Sequence, residues 1–216
     1  MIRELITEKN LIILARTFSI VFNPFYLPLL GLIVLFWCSY MSLYPLMYKF
    51  TVLGMVYLFT ILLPTYLIRL YNNYHGWKFF EFRQRERRMI PYIISIVCYF
   101  VCFYMMDYFH IPHFISTILA AALAIQMVCA LINVWWNIST HSAGVGGATG
   151  SLIAFSLLFG FYLLWWLSLT LIISGMVASC RIILRQHTLS QVIVGYLVGL
   201  LISMSIIIFI NLYNLS

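Results

Sequence analysis

Two histidines, one arginine and a run of hydroxyls carry the chemistry this sequence can do. His141 lies in "WNISTHSAGVGG", Trp136 to Gly147, where Ser139 and Thr140 precede it and glycines follow. His187 lies in "SCRIILRQHTLSQ", Ser179 to Gln191, with Arg181 six residues before it and Gln191 four after. A third polar stretch, "RQRERRMIP" from Arg83 to Pro91, adds Arg83, Arg87 and Arg88. Arginine forks match phosphate oxygens in two parallel hydrogen bonds. Histidine attacks phosphorus as a nucleophile or protonates a leaving oxygen. Backbone N–H groups at a helix start attract anions, and glycines there keep side chains out of the way.

The set suits cleavage of a phosphate ester without a metal. The only carboxylates in the chain are Glu4, Glu8, Glu81, Glu86 and Asp107. A metal site wants carboxylates or clustered ligands, and His141 with His187 are too few. No metal and no cofactor are therefore expected. The five cysteines have neither metal-like nor disulfide-like spacing, and Cys38, Cys102 and Cys129 fall in apolar runs as small core residues.

The elements that must position these residues are membrane helices. Of the 216 residues 64% are hydrophobic and 8% charged, and the mean hydropathy is +1.04. A soluble domain carries about 25% charged residues. The apolar runs are continuous rather than alternating, which excludes a barrel. The expected fold class is all-α: one multi-pass transmembrane bundle over residues 1–216, of six or seven spans at roughly 20 residues each. An amphipathic segment, 1–17, opens it with a surface helix at about 2–16. Spans follow near 18–40, 47–70, 89–108, 113–133, 146–163, 165–180 and 188–211. The stretch from Gly146 to Ser179 has no polar turn, but its length needs two crossings. No cleavable signal peptide is expected, because the first residues lack an apolar core and a small-residue cleavage site.

An even number of spans separates the three polar stretches, so all three face one membrane surface. Eleven of the twelve Lys and Arg residues fall on that side and only Lys49 on the other. Setting aside Arg83, Arg87, Arg88 and Arg181 as ligands still leaves seven. The positive-inside rule makes that side, with the N-terminus, cytoplasmic in the cell's inner membrane. The remaining positive charge reads as a topology signal or an anionic-lipid patch, and no nucleic-acid partner is expected. Gly195 and Gly199 read as close helix packing. The Trp residues read as interface belts.

From Arg83 to Gly199 the chain resembles the type 2 phosphatidic acid phosphatases, the PAP2 superfamily of membrane lipid phosphatases. That family carries Lys-x6-Arg-Pro, Pro-Ser-Gly-His and Ser-Arg-x5-His-x3-Asp. Cys180-Arg181-x5-His187-x3-Gln191 has the third spacing, and Ile138-Ser139-Thr140-His141 lines up with the second. Arg83 to Pro91 lies where the first belongs. Aligning Pro91 puts Arg83 at the lysine and passes the arginine role to Arg87 or Arg88. The resemblance implies a PAP2-like core over 83–199 with definite roles. His187 is the nucleophile and forms a phosphohistidine. His141 protonates the leaving group. Arg181, with Arg87 or Arg88, holds phosphate oxygens, and Ser139 with the backbone after it adds donors.

Gln191 stands where the family has Asp. A glutamine oxygen can accept the Nδ1–H bond and fix the tautomer, but it supplies no charge. Two readings follow. One is a metal-independent phosphatase of a lipid phosphate: a polyprenyl phosphate or diphosphate, phosphatidic acid or phosphatidylglycerol phosphate. The other is a catalytically degenerate PAP2-like protein that binds or transports a phospholipid. An unrelated anion transporter ranks behind both, because the polar segments lie at span ends and not at the midplane.

Overall fold

The computed structural model describes residues 2–38, 40–74, 84–160 and 164–213. Among them every regular element is helical: α1 (Ile2–Val21), α2 (Leu27–Cys38), a short 3-10 turn (Tyr40–Leu43), α3 (Leu46–Tyr57), α4 (Leu63–Tyr74), α5 (Gln84–Tyr108), α6 (His113–Trp135), α7 (Thr140–Phe159), α8 (Leu164–Ile183) and α9 (Leu189–Tyr213). A π-helical stretch, Leu58–Leu62, joins α3 and α4 into one rod. Among the described residues five helices are long and apolar enough to cross a membrane: Leu46–Tyr74, Met89–Tyr108, His113–Trp135, Leu164–Ile183 and Leu189–Tyr213. Their outer faces expose large apolar side chains such as Phe100, Leu131, Ile172 and Leu201, as a chain solvated by lipid requires.

The stretch expected as one span at 18–40 is broken. The surface helix does not stop at residue 16 but runs on to Val21, and α2 begins only at Leu27. Pro24 carries no N–H to continue α1 and disfavours helical backbone at Asn23. The Asn23 side chain accepts from the Phe25 N–H at 3.3 Å and turns the chain instead. The 12 residues of α2 rise roughly 18 Å, short of a full crossing.

The centre of the bundle is the pair α7 and α9, with α6 and α8 against them. Lipid supplies no hydrophobic force between helices, so close backbone contact must hold them. Glycines permit it. A Cβ at Gly199 would run into the Ala143 carbonyl, one at Gly146 into the Tyr196 carbonyl, and one at Gly150 into the Leu200 carbonyl. Ser203 adds a cross-helix bond, its hydroxyl donating to the Gly147 carbonyl at 2.8 Å. The break inside the apolar run from 146 to 179 falls at Gly160. Its φ of 62° ends α7 in a left-handed cap that a residue with a Cβ adopts reluctantly.

Candidate functional site

The local sequence builds α7 so that His141 lies in its first turn. Ser139 is the N-cap, extended at φ −81°, ψ 106°, and its hydroxyl accepts from the Ser142 N–H at 3.4 Å. The Ser139 and Ser142 hydroxyls also bond each other at 2.9 Å. The helix thus starts six residues before the expected span at Gly146. First-turn N–H groups lack partners within their own helix, and the helix dipole gives that end a partial positive charge. Ile138, fully buried, pins the approach by packing with Ile125, Cys129 and Ala143.

Two hydrogen bonds stitch this turn to the start of α9. The Ser139 N–H donates to the Gln191 carbonyl at 3.3 Å. His187 Nδ1 lies 3.2 Å from the Asn137 carbonyl oxygen and 3.3 Å from Gln191 Oε1. A carbonyl can only accept, so the Nδ1 facing both oxygens carries the proton and Nε2 carries the lone pair. Gln191 Oε1 also accepts from the Thr188 N–H at 3.1 Å. That bond fixes the amide as oxygen toward His187. A Cβ at Gly195 would press on the Ser139 carbonyl at 2.6 Å, so glycine there keeps the loop close.

Arg181 is half-buried in the last turn of α8 and reaches α1, where its Nη1 donates to the Ser19 hydroxyl at 2.8 Å. The backbone of Ser19 also lies close to the His141 ring and favours its protonated form. The last turn of α1 therefore touches both groups. Two buried nitrogens face the site without a partner among the described residues, His141 Nδ1 and Arg181 Nε. His141 lies outside the five membrane-length helices, and its imidazole is held down to about 4. Burial is the main cause, the positive Arg181 adds to it, the Ser19 backbone opposes it, and His187 contributes a further small push.

Two cavities meet here. The more polar of them, about 680 Å³, is lined by the exposed Arg16 and Arg185 with Ser19, His141 and Arg181, beside apolar residues such as Ile12 and Leu184. A larger one of about 850 Å³ runs from Asn137, Thr140 and His141 to Met41 and Tyr44, at the opposite end of the bundle. Its walls are mainly apolar, with Pro91 and Tyr92 of α5 on one side. Gly144, Ala148 and Phe155 form one face of α7 along it. His141 and Asn23 line both cavities.

The structure sets His187 and Gln191 against the Asn137–Ser139 backbone, and His141 with Arg181 in the wall of the polar cavity; His187 and Gln191 line neither cavity. The Ser139 hydroxyl is fully buried and engaged in the cap, so its donor to a ligand would be the backbone that follows it. Thr140 lines the apolar cavity rather than the polar one. Arg83 lies outside the described residues. Arg87 and Arg88 fall in the first turns of α5, with side chains outside the described structure. Among the described residues no three His, Cys, Asp or Glu side chains cluster as a metal would need.

Sequence reasoning did not single out Arg16, Ser19, Asn23 or Asn137 as site residues. Arg16 counted only as a topology charge. The available signal was Asn23-Pro24, a helix breaker that turns the chain back over the bundle. Compared with protein-family models, curated proteins and solved structures, the chain matches none.

Proposed function

We propose that this chain is a multi-pass membrane phosphatase of lipid phosphates, with a PAP2-like core. The observation that carries the proposal is the meeting of the two cavities at His141. An arginine-bearing cavity and a long apolar one share His141 and Asn23 in their walls, which suits an amphiphile with an anionic head and a hydrocarbon tail. The tail would lie along Gly144 and Ala148, and the head beside Arg181.

The chemistry follows from the residues. His187 Nε2 attacks phosphorus, and the bond from phosphorus to the lipid oxygen breaks. His141 gives its proton to the departing oxygen. His141 rests neutral, so it must take up that proton when the phosphate arrives. A dianionic phosphate beside it favours the imidazolium and offsets the depression by burial and Arg181. Gln191 and the Asn137 carbonyl hold the Nδ1–H as positive charge develops on His187. Water then hydrolyses the phosphohistidine, with His141 taking back a proton. The arginines hold phosphate oxygens throughout. In this reading the site faces the cytoplasm, the span count is six or seven, and the membrane is the cell's inner one.

One observation favours a second reading, a lipid phosphate binder or carrier. The orienting partner of His187 is the neutral Gln191. The test is phosphate release from a panel of lipid phosphates in detergent with EDTA, comparing the native chain with His187→Ala and Arg181→Ala. Release that survives EDTA and disappears in His187→Ala supports the phosphatase. Tight lipid phosphate binding without release, weakened in Arg181→Ala, supports the carrier instead.

A further inference from the structure

The polar cavity holds more positive charge than one phosphate group needs. Arg16 comes from α1, Arg181 from the end of α8, and Arg185 from the turn after it. No carboxylate is among the described residues that line the cavity. A phosphate monoester carries roughly −2 at neutral pH. Arg181, the start of α7 and a charged His141 suffice to meet it.

Arg185 occupies a position that favours glycine. The turn after α8 is closed by the Arg185 N–H on the Ile182 carbonyl at 2.9 Å and the Gln186 N–H on the Arg181 carbonyl at 3.2 Å. That pairing requires left-handed backbone at the residue between, and Arg185 adopts it at φ 51°. A cation that only set topology would stand equally well one residue away, without the steric penalty. At this point the turn delivers it to the cavity that also holds Arg181. Arg16 is placed as deliberately. It lies three residues before Ser19 on the same face of α1, and Ser19 is the residue that holds Arg181.

We propose that Arg16 and Arg185 form a second anion subsite beside the Arg181–His141 pair, one that takes a further phosphoryl group. The proposal rests on reading that pair as a phosphate site. The group has two possible sources: the distal phosphoryl of a diphosphate head, or a separate inorganic phosphate.

The test is calorimetric titration of the full chain in a neutral detergent with orthophosphate and with pyrophosphate. The native protein is compared with Arg16→Gln, Arg185→Gln and Arg181→Gln, and with Arg69→Gln as a control on an exposed arginine of α4. A diphosphate head predicts pyrophosphate binding about tenfold tighter than orthophosphate, the worth of one charge-assisted bond. Arg16→Gln and Arg185→Gln would each remove that preference, and Arg69→Gln would keep it. A separate phosphate predicts two orthophosphates bound, falling to one in the same two variants. Lysine at either position, with unchanged melting temperature, should restore part of the effect and so excludes misfolding. One Arg181-dependent orthophosphate with no pyrophosphate preference overturns the subsite alone. No anion binding to the native chain overturns the subsite and the phosphate reading together.

Discussion

His187 Nδ1 and Gln191 Oε1 stand 3.3 Å apart, and the same amide oxygen takes the Thr188 N–H at 3.1 Å. The amide orients the ring without charging it. Glutamate at position 191 has the same reach and adds the missing negative charge for a developing imidazolium. Gln191→Glu should raise phosphate release by about tenfold or more, while Gln191→Leu lowers it by a similar factor. Single-turnover phosphate release reads both. Equal rates in all three proteins would remove Gln191 from the mechanism.

His141 makes the stability of the chain depend on pH. Its folded value is lowered to about 4, against about 6.5 for an exposed histidine. Between these values the unfolded chain binds a proton that the folded chain refuses, so this group's contribution to stability falls as pH drops from about 6.5 to about 4. Above that window it contributes no slope. Melting temperature in detergent should therefore decline over that range, and His141→Asn should flatten the decline. A slope unchanged in the variant would show that His141 is not the group responsible.

The helices were legible because bilayer thickness imposes a length on apolar runs, and α5, α6, α8 and α9 lie near their expected places. That the turns before α7 and α9 lie against each other follows from parity, since only α7 and α8 run between them. The path of α1 was not legible. Its last residues, from 18 to Val21, read as the start of one span with α2, and hydropathy cannot see that Asn23 and Pro24 break that span. Arg16 and Ser19 consequently went unassigned, because their role depends on where a broken helix packs. The structural part of Ser139 was not legible for a different reason: a serine before a helix is as good a cap as a ligand, and here its hydroxyl closes the first turn.

The glycines of α7 and α9 make a sharper structural test. A Cβ at Gly199 would meet the Ala143 carbonyl and lie 2.9 Å from the Gly147 nitrogen, both of them backbone that cannot swing aside. Gly199→Ala should destabilise by about 1–3 kcal/mol through overpacking. At Gly175 nothing lies within 4 Å of the added atom. Gly175→Ala should be neutral or slightly stabilising, since alanine favours the helix by up to about 1 kcal/mol. Thermal unfolding in detergent separates them. Equal effects at both positions would mean that the α7–α9 contact is looser than described.

The sidedness of the site can be read from two exposed positions at opposite ends of the bundle. Gln186 stands in the arginine-bearing turn after α8, and Leu43 is 88% exposed in the turn before α3. Cys98, Cys102 and Cys129 are buried, and the half-buried Cys180 is replaced by serine so that it does not react in their place. The charge asymmetry predicts that Gln186→Cys resists a membrane-impermeant maleimide in intact cells and reacts after permeabilisation. Leu43→Cys should react in both conditions. The reverse pattern would place the site on the outer face. The arginines would then have to be kept for anion binding rather than topology, because retention on the outside works against the positive-inside bias. Equal labelling of both positions in intact cells would break the parity argument itself, since two turns on one face need an even number of crossings between them and the expected spans put an odd number there.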